Sequence, residues 1–258
     1  MKIAFLGAGK MATALAGGLS DDAALIAYDV SPSQLAAFRD QTGGEAATSI
    51  GEAAAHADAV VIAVKPQVIG AVLPELDAAP GEALVVSIAA GVTLATLEGA
   101  LPKRRVVRVM PNTPSLVGCG AAAYARGHRA TDADAELCRR LLESVGCVCE
   151  VAEPLLDAVT GLSGSGPAYG FVLIEALADA GVREGLPREL ATMLAAQTMK
   201  GAAEMVLQTG THPAALKDAV ASPGGTTIAG LAALESHGGR AAVQAAVAAA
   251  SQRSRELG

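Results

Sequence analysis

The chain has 258 residues, a formal net charge of −7 and 52% hydrophobic residues, which allows one large domain or two modest ones with a substantial core. Its acidic and basic residues are scattered, only 2% of its residues are aromatic, and it contains no tryptophan. These features argue against a nucleic-acid partner, which needs a concentrated basic face, and against an aromatic platform for stacked bases or sugars.

The first 153 residues alternate between short β-branched runs and stretches with helical spacing. Helices are predicted over Lys10–Leu19 and Pro32–Asp40, the second with Ser31 as N-cap and proline at its first position. This alternation predicts an α/β fold with a doubly wound parallel sheet, a Rossmann domain over residues 1–153. The predicted strands are Lys2–Leu6, Ala24–Tyr28, Ala59–Val64, Ala83–Ile88 and Arg105–Met110, with weaker signals at Ala121–Tyr124 and Cys147–Val151.

The turn between the first strand and the first helix has the pattern G-x-G-x-x-A. In such a turn the first glycine allows a tight bend, the second lets the backbone approach a pyrophosphate, and the third small residue allows close helix–strand packing. Because the pattern follows a strand and opens a helix, it favours a dinucleotide-binding loop over an ordinary glycine turn. The predicted cofactor-binding residues are Gly7, Ala8, Gly9, Lys10, Met11 and Ala12.

Three polar residues at the end of the second predicted strand are further cofactor candidates. Asp29 has the spacing of the acid that accepts hydrogen bonds from the adenine-ribose hydroxyls and favours NAD. Ser31 and Ser33 follow at once, and their hydroxyls at a helix N-terminus fit the additional phosphate of NADP. Arg39 is interpreted as a solvated residue of the following helix. The residues alone leave the choice between NADP and NAD open.

The carboxyl ends of two later strands carry the remaining cofactor candidates, since ligands of open α/β sheets bind at these ends. Val64, Lys65 and Pro66 follow one strand, and Asn112 follows another between two prolines that stiffen its loop. The amide of Asn112 suits a hydrogen bond to the nicotinamide or its ribose. Lys65 fits a site residue and a solvated surface lysine equally well.

Beyond residue 153 the strand patterns stop, and an all-α domain is predicted over residues 154–258. Several of its helices are apolar nearly all round and must be buried from every side, which about a hundred residues cannot easily achieve alone. We therefore expect a homo-oligomer with its interface in this half. The most apolar run, 168–182, contains two acids and is too short to cross a bilayer. The predicted helices are Ala168–Ala180, Pro187–Thr209, Pro213–Ala219, Thr226–Ser236 and Gly239–Arg255.

Two glycine-rich segments introduce helices in this second half. The segment Ser163–Pro167 fits a domain hinge with an N-cap as well as a close approach by a ligand. The segment Ser222–Thr227 combines two glycines and two threonines directly before a helix. Consecutive backbone N–H groups at a helix start form a nest for an anion. Since no long basic side chain takes part, the pattern favours a small carboxylate held close to the backbone. A simple helix cap would hardly need two glycines and two threonines, so we favour a binding site over a cap.

The cysteines and the N-terminus bear on the compartment. We expect no disulfide, because Cys147 and Cys149 are two residues apart on one strand and are poorly placed to bridge. We expect no metal site, because no histidine has metal-ligand spacing. Glycines interrupt the apolar start of the chain, which argues against a signal peptide. A soluble, cytoplasmic protein without a membrane partner is expected. Buried, reduced thiols are predicted at Cys119, Cys138, Cys147 and Cys149.

Taken together, these motifs resemble the pyrroline-5-carboxylate reductase family. The resemblance runs from the glycine loop nearly to the C-terminus, and its most specific segment is Leu216–Gly230, LKDAVASPGGTTIAG. Further matching segments are Val106–Pro114, Val159–Tyr169 and Ala176–Gly185. The resemblance implies reduction of the cyclic imine 1-pyrroline-5-carboxylate to L-proline, the last step of proline biosynthesis. It also implies a homodimer of interlocking helical domains, assembled further into a decamer in many members.

The resemblance implies a role for each candidate residue when the family's roles are carried over to the matching positions of this chain. Lys65 and Asn112 would lie near the nicotinamide, and Thr227 and Lys65 form the implied catalytic set. NADP is the implied cofactor, with NAD as the alternative, because an acid at Asp29 would repel a 2′-phosphate unless it turned away. The implied substrate-binding residues are Ser222, Gly224, Gly225, Thr226 and Thr227.

Reduction of such an imine needs a hydride at the imine carbon, and positioning supplies most of the catalysis because a protonated C=N is a good electrophile. A hydroxyl is a poor general acid, so Thr227 is given an orienting role toward the ring nitrogen.

Two alternative functions remain. A reductase of a related cyclic imine carboxylate would use the same nest, and only kinetics separates it. A non-catalytic dinucleotide-binding protein would need no nest, so the intact 222–227 segment argues against it.

Overall fold

A computed structural model describes residues 1–19 and 23–257. The chain divides into two compact units, Met1–Ser165 with Ala249–Gly258, and Gly166–Ala248. The division into 1–153 and 154–258 expected from the sequence stays a prediction.

The first unit is a Rossmann domain, as the sequence predicts. Within the described residues, eight strands form one sheet in the order β3-β2-β1-β4-β5-β6-β7-β8. The neighbours pair in parallel except β6 and β7. The strands are β1 Lys2–Leu6, β2 Ala24–Tyr28, β3 Glu45–Ala46, β4 Ala59–Ile62, β5 Leu84–Ser87, β6 Val106–Met110, β7 Gly120–Arg126 and β8 Gly146–Glu150.

Helices cover both faces of this sheet, because the central strands are apolar on both sides. On one face Phe5 of β1 packs on Phe38, with ring centroids 5.7 Å apart, in a core that also holds Ala12. On the other face Val60 and Ile62 of β4 pack in a second core. The helices are α1 Lys10–Gly17, α2 Pro32–Thr42, α3 Ile50–Ala54, α4 Ile69–Ala78, α5 Leu94–Ala100, α6 Asp132–Glu143 and α7 Leu156–Val159.

One pairing departs from the predicted parallel sheet. Strand β7 runs antiparallel to β6, with Met110 opposite Ala123. Only the short segment containing the 3₁₀ turn Thr113–Val117 joins the two strands. A parallel crossover needs a dozen or more residues, so β7 returns antiparallel.

The prediction of four buried thiols is wrong for three of them. Cys138 is buried on α6, whereas Cys119, Cys147 and Cys149 are exposed. Cys147 and Cys149 lie on β8, the edge strand of the sheet, on the face opposite Val148, whose side chain packs against the core. Cys119 lies in the loop before β7. All four are free thiols.

The second unit consists of helices, as predicted. Helices α8 and α9 pack through a small alanine core of Ala178, Ala191 and Ala195, and the side chains of Arg188 and Asp179 pair at 2.5 Å. None of the helices in the described ranges is long and apolar enough to cross a membrane. The helices of this unit are α8 Gly166–Arg183, α9 Arg188–Thr209, α10 Pro213–Ala219, α11 Thr226–Ser236 and the first part of α12 Gly239–Leu257. From Ala249 onward α12 belongs to the first unit.

Candidate functional site

The glycine loop joins β1 to α1 at the carboxyl edge of the sheet. Gly7 has φ +96°, and a Cβ atom there would lie 2.8 Å from the backbone oxygen of Ala63. Its N–H donates a 2.8 Å hydrogen bond to the backbone oxygen of Tyr28. Both the left-handed backbone and the close approach therefore require glycine at this position.

Gly9 is small for a different reason. Its φ of −74° is accessible to any residue, and a Cβ would meet only Gln34 Oε1, at 3.4 Å. Gly9 is the N-cap of α1 and has no side chain to cap it, so the first N–H groups of the helix, at Lys10 and Met11, have no acceptor within the helix. Such N–H groups bind phosphate oxygens, and the missing side chain leaves room for them.

Asp29 contacts the glycine loop directly. Its Oδ2 atom accepts a 2.8 Å hydrogen bond from the backbone N–H of Ala8, and its Oδ1 atom accepts one of 2.8 Å from the backbone N–H of Ser31. The hydroxyls of Ser31 and Ser33 lie 3.0 Å apart on the exposed start of α2. Arg39 is exposed on the same helix, as the sequence predicts.

The ends of β4 and β6 bring the other candidates to the same edge of the sheet. Val64 is half-buried, and exposed Lys65 precedes a 3₁₀ turn that begins at Pro66. The ammonium group of Lys65 has no partner among the described residues. Asn112 is 8% exposed, so little of its amide faces solvent.

A cavity of about 810 Å³ in the first unit touches one end of this arrangement. It is lined there by Ala8, Lys10 and Ser33, and it continues along α1 to Ser144. A dinucleotide on a Rossmann fold crosses the carboxyl ends of the strands instead. The strand ends therefore define the candidate cofactor site better than the cavity does.

The glycine–threonine segment lies in the second unit and forms a turn before α11. The N–H of Gly225 donates a 3.0 Å hydrogen bond to the backbone oxygen of Ser222, and Gly224 has φ +66°. Helix α11 begins at Thr226 without a side-chain cap. Thr227 is half-buried, whereas Ser222 and Thr226 are exposed. The uncapped N–H groups and the half-buried hydroxyl suit a small anion.

Comparison with known proteins identifies the family. Residues 2–91 match the domain family described as NADP oxidoreductase, coenzyme F420-dependent, and residues 153–257 match pyrroline-5-carboxylate reductase dimerisation. A pyrroline-5-carboxylate reductase of Methanosarcina acetivorans is 47% identical, with 100% of this chain and 98% of that protein covered. The chain belongs to the pyrroline-5-carboxylate reductase family.

Solved structures of this family share the fold over the whole chain. The pyrroline-5-carboxylate reductase of Coxiella burnetii has a TM-score of 0.93 and 37% identity, with 99% of this chain and 97% of that chain covered. The Plasmodium falciparum pyrroline carboxylate reductase, solved with NADP bound, has a TM-score of 0.89 and 36% identity, covering 100% and 98%.

The family's dimerisation domain coincides with the helices whose apolar residues are exposed. Phe171 is 65% exposed, Met193 55% and Leu194 44%. A monomer rarely leaves so many large apolar side chains in water. This reductase therefore oligomerises through its helical half, as the sequence predicts.

Two features of the site lie beyond what the sequence patterns indicate. Thr160–Gly164 forms a π-helical turn, in which the N–H of Ser165 donates to the backbone oxygen of Thr160. The amide of Asn112 bonds to this turn. The glycines and serines of the segment indicate a hinge, but a π-helical turn carries no residue pattern of its own.

Proposed function

We propose that this reductase converts 1-pyrroline-5-carboxylate to L-proline with NADPH as reductant, the last step of proline biosynthesis. The observation that carries the proposal is the full-length match to pyrroline-5-carboxylate reductases, 47% identical in the archaeal relative. The Plasmodium relative with NADP bound supports the choice of cofactor. The glycine loop fits a dinucleotide, because a Cβ at Gly9 would stand where the pyrophosphate approaches.

The cofactor-binding residues of the proposal all belong to the first unit. The N–H groups of the Gly7–Ala12 loop hold the pyrophosphate at the start of α1. Asp29, Ser31 and Ser33 line the adenine-ribose end, whereas Val64, Lys65, Pro66 and Asn112 line the nicotinamide end. When bound, NADPH supplies a hydride from C4 of its nicotinamide to the imine carbon.

The substrate-binding residues of the proposal surround the start of α11. The N–H groups that follow Gly225, with the hydroxyls of Ser222 and Thr226, hold the carboxylate of the imine. The half-buried hydroxyl of Thr227 hydrogen-bonds the ring nitrogen and holds the proton that makes the C=N electrophilic. Lys65, an exposed cation three residues after β4, completes the proposed catalytic set.

We further propose a homodimer through the helical half and assembly of dimers into a decamer. The exposed apolar side chains of α8 and α9 support the dimer. We also propose a cytoplasmic location, because exposed thiols such as Cys147 and Cys149 stay reduced in the cytoplasm.

The test is the initial rate of NADPH and of NADH oxidation with pyrroline-5-carboxylate and purified protein. The proposal predicts rapid oxidation of NADPH with formation of one proline per NADPH. Dinucleotide binding without turnover would overturn it and direct attention to other cyclic imines and then to a sensor role. A six-membered cyclic imine carboxylate is the matched alternative substrate in the same assay.

A further inference from the structure

We infer that Glu153 and Arg108 are positioning residues for hydride transfer, because together they hold the loop after β5 in place against β6. The inference rests on the proposed function, in which the nicotinamide lies at the carboxyl ends of β4 and β6. Both residues lie outside the glycine loop, the strand ends and the glycine–threonine segment, and they act through the backbone that they hold.

Arg108 is a cation inside an apolar core. It lies in the middle of β6, is 6% exposed and shares a face of the strand with Val106 and Met110, which pack in the core. Its Nη1 atom donates a 2.8 Å hydrogen bond to Oε1 of Glu153, whose side chain is 28% exposed. A buried cation is costly unless it is paired, so this pair fixes where the Glu153 carboxylate lies.

The same carboxylate oxygen has a second partner. It accepts a 2.6 Å hydrogen bond from the backbone N–H of Leu94, which lies 59 residues earlier in the chain. Leu94 is the first residue of α5, so its N–H has no acceptor within the helix. One atom thus joins β6, the start of α5 and the segment that leads to α7. We call this contact of Arg108, Glu153 and Leu94 the Glu153 clamp.

The clamp holds a loop that lies at the proposed nicotinamide site. The loop 88–93 joins β5 to α5 and is called the β5 loop below. Strand β5 lies between β4 and β6 in the sheet, so its loop lies between the two strand ends of the proposed site. The Ser87 hydroxyl accepts a 3.4 Å hydrogen bond from the N–H of Ala89. The loop is therefore tied to β5 at its first residues and to Glu153 at its end.

This arrangement bears on the rate of hydride transfer more than on cofactor affinity. Hydride transfer requires a narrow range of distance and angle between C4 of the nicotinamide and the imine carbon, and a displacement of about 1 Å can cost about a hundredfold in rate. The clamp keeps the β5 loop and the end of β6 in one relative position. The pyrophosphate is bound elsewhere, at the glycine loop, so loss of the clamp should leave most of the affinity for NADPH.

The deciding experiment compares Glu153→Ala and Glu153→Gln with the wild type. It measures kcat with pyrroline-5-carboxylate and NADPH, the dissociation constant of NADPH without imine, and hydrogen–deuterium exchange of the β5 loop amides. Glu153→Ala removes both hydrogen bonds, and we expect kcat to fall about ten- to a hundredfold, exchange in the β5 loop to become faster, and NADPH binding to stay unchanged. Glu153→Gln keeps an oxygen that can accept both bonds and should retain most of the wild-type kcat.

Asp134→Ala is the matched control at the opposite end of β6. The Oδ1 atom of Asp134 pairs at 2.6 Å with Arg105, the residue before β6. Its Oδ2 atom accepts a 2.8 Å hydrogen bond from the backbone N–H of Thr131, the N-cap of α6. The variant therefore loses the same kinds of bond, but at the amino edge of the sheet. It should lower the melting temperature, as Glu153→Ala does, and leave kcat and exchange in the β5 loop unchanged.

Three results would overturn the inference: wild-type kcat in folded Glu153→Ala, a Glu153→Gln variant as slow as Glu153→Ala, or equal losses of kcat in Glu153→Ala and Asp134→Ala. If Glu153→Ala does not fold, Glu153→Asp decides. It keeps the charge and withdraws the oxygens by one methylene group, so wild-type kcat and exchange there would contradict the clamp.

The exchange measurement needs no imine and separates the inference from the proposed function. A wild type that reduces no pyrroline-5-carboxylate would refute the proposed reaction. Unchanged exchange of the β5 loop amides in Glu153→Ala would refute the clamp, whichever imine the enzyme reduces.

Discussion

The Nδ2 atom of Asn112 donates a 3.0 Å hydrogen bond to the backbone oxygen of Ser163, and its Oδ1 atom accepts one of 2.9 Å from the backbone N–H of Ala121. One buried amide thus joins the end of β6, the start of β7 and the π-helical turn. The amide keeps one N–H and one lone pair of Oδ1 for a cofactor. Asn112 therefore fixes the shape of this strand end, and the proposed contact with the nicotinamide would use one of these two groups.

Replacing Asn112 by aspartate tests this structural role. Asn112→Asp keeps the acceptor for Ala121 and sets a carboxylate oxygen against the carbonyl of Ser163. Losing the partner of a buried polar group costs about 1–3 kcal/mol, so we expect a melting temperature several degrees lower in thermal unfolding. Gln41→Glu, an exposed amide-to-acid change on α2, is the control. Unchanged stability with weaker NADPH binding would mean that the amide acts only as a cofactor ligand.

Gly43, which follows α2, is a matched control for a substitution of Gly7 in the glycine loop. Both have positive φ, +96° and +68°, but a Cβ at Gly43 meets nothing within 4 Å. Gly43→Ala is expected to lower the free energy of unfolding by about 1 kcal/mol, because only its backbone conformation disfavours alanine. Gly7→Ala adds a clash with Ala63 and is expected to cost about 3 kcal/mol. If urea unfolding shows that the two variants lose the same free energy of unfolding, the loop relaxes away from Ala63.

Gly9→Ala separates folding from cofactor binding. Its backbone conformation and surroundings accept a methyl group, so the melting temperature of the free protein is expected to stay within a degree or two. The same methyl group obstructs the pyrophosphate, and we expect the dissociation constant of NADPH to rise at least about tenfold. Unchanged NADPH binding in a calorimetric titration would contradict the assignment of the loop.

Much of the sheet is predictable because its strands are local apolar runs. Strands β1 and β2 have the predicted bounds, and α10 and α11 do as well. The pattern does not predict β3, because Glu45 and Ala46 are both exposed. This strand exists only through its pairing with Ile26 and Ala27 of β2, and such tertiary pairing leaves no trace in a two-residue segment.

The sequence indicates which residues lie at the candidate site, but it does not indicate their hydrogen-bond partners. Spacing indicates that Asp29 and Asn112 lie at the carboxyl edge of the sheet, where the structure has them. Their partners Ala8 and Ser163 are 21 and 51 residues away. Which backbone N–H or C=O reaches a side chain depends on the path of the loops, and residue spacing does not encode that path.

Cys138 is expected to resist thiol reagents that modify the other cysteines. Burial raises the pKa of its thiol to about 12, so only about one molecule in ten thousand is the reactive thiolate at pH 8. A colorimetric disulfide reagent should modify Cys119, Cys147 and Cys149 in the native protein and Cys138 only after denaturation. Above about pH 9 the thiol ionises in the unfolded chain but not in the folded one, so this group lowers stability as pH rises.

The control for this prediction is Cys138→Ala. It should leave the native thiol count unchanged and lower the denatured count by one. Rapid native modification of Cys138 would contradict its burial.

Thr227→Ala tests the proposed substrate site at the start of α11. Loss of one hydroxyl that bonds the ring nitrogen in the transition state is expected to lower kcat/KM for pyrroline-5-carboxylate about tenfold. The dissociation constant of NADPH should not change, because the glycine loop and strand ends that bind it are intact. Thr227→Ser keeps the hydroxyl and should retain most of the activity, whereas Thr209→Ala, on an exposed hydroxyl that bonds Met205 in its own helix, should match the wild type. Wild-type kcat/KM in Thr227→Ala would remove this hydroxyl from the mechanism and leave the carboxylate nest as the only role of the segment.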